Sequence, residues 1–276
     1  MEKIPILTAH LFLPLEEKLI SLLRSLTPNE WNLPTIAGAW TVKDVAAHLL
    51  DGNLRTLSMK RDQYIGDPPS SINNNTDLVA YLNRLNADWV RAMKRLSPTV
   101  LVDWMEETGK QFTALVTEGD PFADAIFAVS WAGESVSQQW FHVAREYTER
   151  WHHQQQIRDA VDKPGILEHH FYYPVLDTFM RALPYTYSAT QAAEGTVVQV
   201  SIRGEGAGNW FLTKKDTWVL SKTNDQPVAA HCSIDGAVAW KLFTKSWRPA
   251  QLRQYISIEG DTALAEVALG MISVMA

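Results

Sequence analysis

The chain has 276 residues, 46% of them hydrophobic and 20% charged, which are the proportions of a globular protein with room for one large domain or two ordinary ones. Its net charge of −6 argues against nucleic acid as a partner, because phosphate neutralisation needs a basic face, and no apolar run reaches the ~20 residues of a bilayer span. Cys232 is the only cysteine, which excludes an internal disulfide and any paired-cysteine metal or redox site. The N-terminal residues lack the basic start and apolar run of a signal peptide, so a cytoplasmic protein is expected. The eleven tryptophans are read as bulky packing residues.

Up to about residue 183 the pattern is helical. Leu15, Leu19, Leu22, Leu23 and Leu26 form an amphipathic stripe. The next helix starts at Trp40-Thr-Val-Lys-Asp-Val45, where Thr41 caps the first turn and Asp44 favours the positive end of the helix dipole. Trp40 and Val45 occupy the flanking staple positions. This start sets the phase of the helix that carries His48. Further helices are expected over Thr76 to Leu96 and Asp103 to Glu118, with an irregular crossover from Pro121 to Trp131. Ser135 to Val161 contains neither Pro nor Gly and is the longest helix candidate. A shorter one follows Pro164-Gly165 and ends near Leu183-Pro184. Four principal helices with long connections predict an antiparallel bundle, a frame in which metal sites are built from facing helices.

After Tyr185 the texture changes. Residues 186–195 read as a linker, leaving a helical domain over 1–185 and a smaller one over 196–276. Thr196 to Ile202, Gly208 to Thr213, Thr217 to Ser221, Val228 to Ile234 and Tyr255 to Ile258 alternate and are rich in β-branched residues. Gly236 to Phe243 reads as a helix, and Asp261 caps a last one from Thr262. The fold class is therefore α plus α+β: a four-helix bundle followed by a small α+β domain with an antiparallel sheet.

Glu149 and His153 lie four residues apart in the longest helix, on one face and one turn apart, as two ligands of one metal require. At about 100° per residue, His142, Glu146, Glu149, His153 and Gln156 share a narrow sector, and Trp140, Ala144, Tyr147 and Trp151 lie opposite. His48, inside an otherwise apolar stretch, completes a set of two imidazoles and a carboxylate that would hold a divalent metal with open positions. Asp44 and Asp51, each about one turn from His48, are candidates to orient its ring. His152 falls off the stripe and is read as a surface or outer residue. Composition and spacing alone leave a metal site and an ordinary polar helix face equally open. No Gly-x-Ser-x-Gly elbow or phosphate-binding loop is present.

Trp40-Thr-Val-Lys-Asp-Val-Ala-Ala-His-Leu49 resembles the "W-x-V-x-D-V-x-x-H-L" start of the mycothiol-dependent maleylpyruvate isomerase family, within the DinB-like metal-binding superfamily. Glu149-Arg-Trp-His-His-Gln-Gln-Gln-Ile-Arg158 is similar to its "E-x-x-x-H-x-x-D-I" segment. Gly208-Asn-Trp210, Cys232 to Trp240 and Ile258 to Ala265 are similar to its sterol-carrier-like C-terminal domain. The resemblance implies that His48, Glu149 and His153 bind a divalent metal, zinc or alternatively nickel. It further implies a low-molecular-weight thiol cosubstrate, mycothiol or bacillithiol, which the metal activates to attack a small electrophile. In the isomerase that attack is a reversible addition to a cis double bond. Gln156 departs from the family pattern, which often has Asp there. A basic residue of the second domain is also implied, and Lys245 and Arg248, with Arg253 nearby, are the candidates. The competing readings are a metal-dependent hydrolase with Glu146 as base, and a non-catalytic metal-binding module. A monomer or homodimer is equally compatible with all three.

Overall fold

The computed structural model describes residues 5–69 and 71–274; the first four residues, with which the targeting expectation begins, lie outside them. Its elements are α1 (Phe12–Arg24), α2 (Val42–Thr56), α3 (Asn75–Met93), α4 (Pro98–Thr117), α5 (Gln139–Val161), α6 (His169–Phe179) and α7 (Leu183–Thr186). There follow β1 (Val197–Arg203), β2 (Gly208–Lys214), β3 (Trp218–Ser221), β4 (Ala230–Asp235), α8 (Gly236–Phe243), α9 (Pro249–Leu252), β5 (Ile256–Gly260) and α10 (Thr262–Glu266). Among the described residues no helix is long and apolar enough to cross a membrane.

The chain forms two compact units. The helical unit comprises Leu7–Asp120 and Glu149–Ile166; the mixed unit takes Pro121–Thr148 and the chain from Leu167 onward. Helix α5 runs from one into the other. Residues 121–148 and 167–185, read from sequence as part of the helical domain, thus group with the sheet; Tyr147 donates to Phe171 O at 3.0 Å, and 167–185 in turn bond to the sheet unit. Tyr172 donates through Oη to Gly236 O at 2.8 Å, and Trp210 donates through Nε1 to Asp177 Oδ1 at 2.8 Å.

In the helical unit, α1, α2, α4 and the end of α5 surround one core. Leu19, Leu22 and Leu23 meet Val42, Val45, Ala46, Leu49 and Leu50, together with Leu101, Val102, Met105 and Ile157. Helix α2 starts as expected and better: Thr41 Oγ1 accepts from Asp44 N at 3.3 Å while Asp44 Oδ2 accepts from Thr41 N at 3.0 Å, a reciprocal capping box. Its far end passes into a π-helical turn, Leu57–Arg61, that the periodicity does not announce. Helix α3 ends at Met93, three residues short of the expected Leu96, and its Trp89 donates to Ala47 O at 2.8 Å, one residue before His48.

The mixed unit holds a five-stranded sheet in the order β3-β2-β1-β4-β5. Neighbours are antiparallel except β1 and β4, which run parallel with Gln199 opposite His231. The exception follows from strand length. Strand β3 stops at Ser221, opposite Phe211, which pairs with Gln199, so the chain crosses at that level and re-enters as β4 beside β1. One side of the sheet, with Val198, Val200, Ile202, Leu212 and Ile234, is buried. At the start of α8 only glycine fits, since a Cβ on Gly236 would lie 1.8 Å from Glu205 O.

Candidate metal centre

His48 is delivered by α2, whose phase the Thr41–Asp44 box and the buried Val45, Ala46 and Leu49 determine. The ring is half-buried, and Trp40 lies against it at 5.0 Å between centroids. Neither aspartate expected to orient it does so. Asp44 is used by the cap, and Asp51 pairs with Arg55 at 3.4 Å. His48 Nδ1 is consequently buried with no hydrogen-bond partner among the described residues. Such an orphan costs about 1–3 kcal/mol unless something else occupies it.

Helix α5 supplies the other groups. His153 Nε2 and Glu149 Oε2 are 3.8 Å apart, close to the ~3.3 Å between two ligand atoms of a tetrahedral zinc. The His48 and His153 rings meet edge to face at 4.7 Å between centroids, across α2 and α5. All three residues lie in the helical unit, so its own core holds them together.

Gln156 gives the site its polarity. Its Oε1 lies 2.9 Å from His153 Nδ1, and its Nε2 lies 3.0 Å from His152 Nε2. A carbonyl oxygen only accepts, so His153 carries its proton on Nδ1 and presents a bare Nε2 toward Glu149. An amide nitrogen only donates, so His152 is unprotonated at Nε2. Metal-bound histidines commonly have this arrangement, with the far ring nitrogen donating to a carbonyl.

Of the two readings of His152, surface or outer residue, burial excludes the surface one. The side chain is buried, stacks on His153 at 5.2 Å, and groups with Glu149 and His153 so that one ligand atom of each lies within 4.8 Å of the others. The signal was in the sequence: His152 to Gln156 is an i,i+4 spacing and His153 to Gln156 an i,i+3 spacing, which converge on one amide.

Burial also sets the charge. Loss of hydration, with smaller contributions from His153 and Arg55, pushes the His48 pKa down to about 3. Burial lowers that of His152 well below the ordinary imidazole value and lowers that of His153 as well. Neutral imidazoles are the form a metal needs. Among the described residues the ligand atoms that cluster are those of Glu149, His152 and His153, and His48 joins them through its ring contact with His153; imidazole and carboxylate donors of this kind fit a divalent cation.

The remaining candidates lie in the mixed unit. Glu146 pairs with its neighbour Arg145. Lys245 follows α8 with a positive φ of 58°, and Arg248 precedes Pro249 at the start of α9. Cys232 is buried in β4 with its thiol pushed up to about 12, which leaves it no nucleophilic role.

Two crystal structures of the mycothiol-dependent maleylpyruvate isomerase, one of them of a point mutant, each match with a TM-score of 0.51 over 93% of this chain and 96% of theirs. Sequence identity is 12%, so the likeness concerns the fold. No curated protein sequence matches the chain. The family model described as the mycothiol maleylpyruvate isomerase N-terminal domain matches residues 12–158, more than half of the chain, and spans His48, Glu149 and His153. The chain belongs to the mycothiol maleylpyruvate isomerase N-terminal domain family.

Proposed function

We propose that the protein is a metal- and thiol-dependent enzyme of the maleylpyruvate isomerase type, in which His48, Glu149 and His153 hold one divalent ion, zinc or nickel. The observation that carries this reading is the convergence of His48, whose buried Nδ1 lacks a partner, on His153, whose outer nitrogen is occupied by Gln156. Bound there, a divalent metal would lower the pKa of a thiol that reaches it, so that sulfur attacks as the anion. The chain's own residues arrange for this. Burial keeps both imidazoles neutral, Gln156 keeps the His153 proton off the ligating nitrogen, and Glu149 supplies a single negative charge. Two neutral ligands and one carboxylate leave a divalent site with net positive charge, which favours an anionic fourth ligand such as a thiolate.

The cosubstrate on this reading is a low-molecular-weight thiol, mycothiol or bacillithiol, and the substrate is a small electrophile with an activated double bond. Glu146 has a role only if water replaces the thiol.

Metal analysis of purified protein should find about one divalent ion per chain, lost in His48→Ala and in His153→Ala. Retention of the ion in both variants would sink the ligand assignment. Turnover of maleylpyruvate-like cis-alkenes should require added thiol. Thiol-independent hydrolysis of esters or amides that disappears in Glu146→Gln would instead make the protein a hydrolase.

A further inference from the structure

Beside the ligand Glu149, the next residue enters a buried polar network that the metal site does not itself use. The Arg150 side chain is 11% exposed, and its guanidinium lies 3.5 Å over the centre of the Phe112 ring on α4. It donates to Glu16 Oε2 on α1 at 3.3 Å and to Asn53 Oδ1 on α2. Asn53 in turn donates from Nδ2 to Thr108 Oγ1 on α4 at 3.0 Å, and Thr108 donates to Trp104 O at 2.6 Å. One connected set thus takes side chains from α1, α2, α4 and α5. Gly109 makes room for it, since a Cβ there would lie 2.3 Å from Glu16 Oε1.

Burying a guanidinium and a carboxylate is costly, and apolar residues of the same volume often stabilise a core as well or better. What such groups do provide is register, because a directional hydrogen bond tolerates far less sliding than a methyl contact. The placement here suits that role. On α2, His48 and Asn53 are five residues apart, about 7.5 Å of helix rise. On α5, Arg150 sits between Glu149 and His153. The Arg150–Asn53 bond therefore ties the two ligand-bearing helices together about two turns or less from their ligands. Glu16 and Phe112 hold the guanidinium in place from α1 and α4.

We infer that Arg150, Asn53 and Glu16 are positioning residues that set the axial register of α5 against α2, and with it the separation of His48 from Glu149 and His153. The inference rests on the metal-site reading for its consequence but not for its geometry, and the test separates the two. In the triple variant Arg150→Met, Asn53→Leu, Glu16→Gln, circular dichroism and cooperative melting should remain. Two readouts should change. Nuclear Overhauser contacts between the His48 and His153 rings of metal-free protein should weaken or vanish. Cobalt(II) affinity should fall about 10- to 100-fold, the range for loss of outer supports, with an altered visible ligand-field spectrum. Arg150→Lys keeps the charge but not the planar fork, and should shift both readouts in the same direction. If the triple variant does not fold, Asn53→Leu and Arg150→Lys carry the same comparison.

Unchanged ring contacts in folded variants overturn the proposal, whatever the metal does. A wild-type Arg150→Lys beside a defective triple variant also overturns it, by showing that charge rather than register matters. Wild-type protein that binds no cobalt would overturn the metal reading alone, and the ring contacts would then decide the register on their own.

Discussion

Gln156 is the residue on which the state of the site turns. An amide has one accepting and one donating end, so a single side chain meets a protonated Nδ1 on His153 and a bare Nε2 on His152, which fixes both neutral rings with the proton on Nδ1. Gln156→Leu should therefore release His153 to carry its proton on either nitrogen. Zinc affinity, measured by chelator competition, should fall about 10- to 100-fold. Gln156→Glu keeps an acceptor for His153 but removes the donor to His152, so it should lose less; equal losses in the two variants would refute the assigned proton placement. Cys232 makes a simpler case at the same scale. Its thiol, raised to about 12 by burial, should resist alkylation at neutral pH until the protein unfolds, which mass spectrometry after iodoacetamide treatment would show.

At the scale of elements, α2 illustrates how a local signal becomes a functional one. Thr41 and Asp44 satisfy each other's backbone donors, and the helix they start presents His48 two turns later. Thr41→Ala should cost about 1 kcal/mol in denaturant unfolding, with little effect on metal stoichiometry, because the core residues Val45 and Leu49 still set the helix phase. The capping box was legible because it lies within four residues. The π-helical turn at Leu57–Arg61 was not, since its backbone depends on what the end of α2 packs against. In α5 the wheel separated Trp140, Ala144, Tyr147 and Trp151 as a packing face, and all four are buried. The wheel placed His152 off the polar sector, yet its side chain is buried. Here Gln156 and Arg158 are buried too and bonded within the protein, so polarity at these positions marks internal hydrogen bonding.

At the scale of the whole molecule, three histidines held neutral by loss of hydration make stability depend on pH. His48 stays unprotonated in the folded protein down to about pH 3, whereas the unfolded chain takes up a proton near the ordinary value of 6.5. The unfolded state thus binds more protons below pH 6.5, and folding stability is lost as pH falls through that window. His152 and His153 shift in the same direction and add to the effect. Melting of metal-free protein should be nearly flat above pH 6.5 and fall between pH 6.5 and 5, above the range in which ordinary carboxylates titrate. His48→Asn should reduce that slope; an unchanged slope would show that His48 is not held neutral by its surroundings.

Taken together, the helical run, the strand-rich tail, the cap of α2 and the Glu149–His153 pair were legible in the sequence, because each follows from spacing along one element or from local hydrogen bonding. His48 joined the pair as a histidine in an apolar, capped helix, and motif resemblance carried the family. Tertiary structure alone decided the rest. It showed that Asp44 and Asp51 leave His48 Nδ1 unpaired, that Gln156 joins His152 to His153, and that residues 121–148 and 167–185 group with the sheet. The parallel pairing of β1 with β4 was likewise a tertiary outcome. The physical reason is common to all of these. Whether a polar side chain is a ligand, a support or a cap depends on which partner reaches it first, and that competition is settled only when separate elements pack.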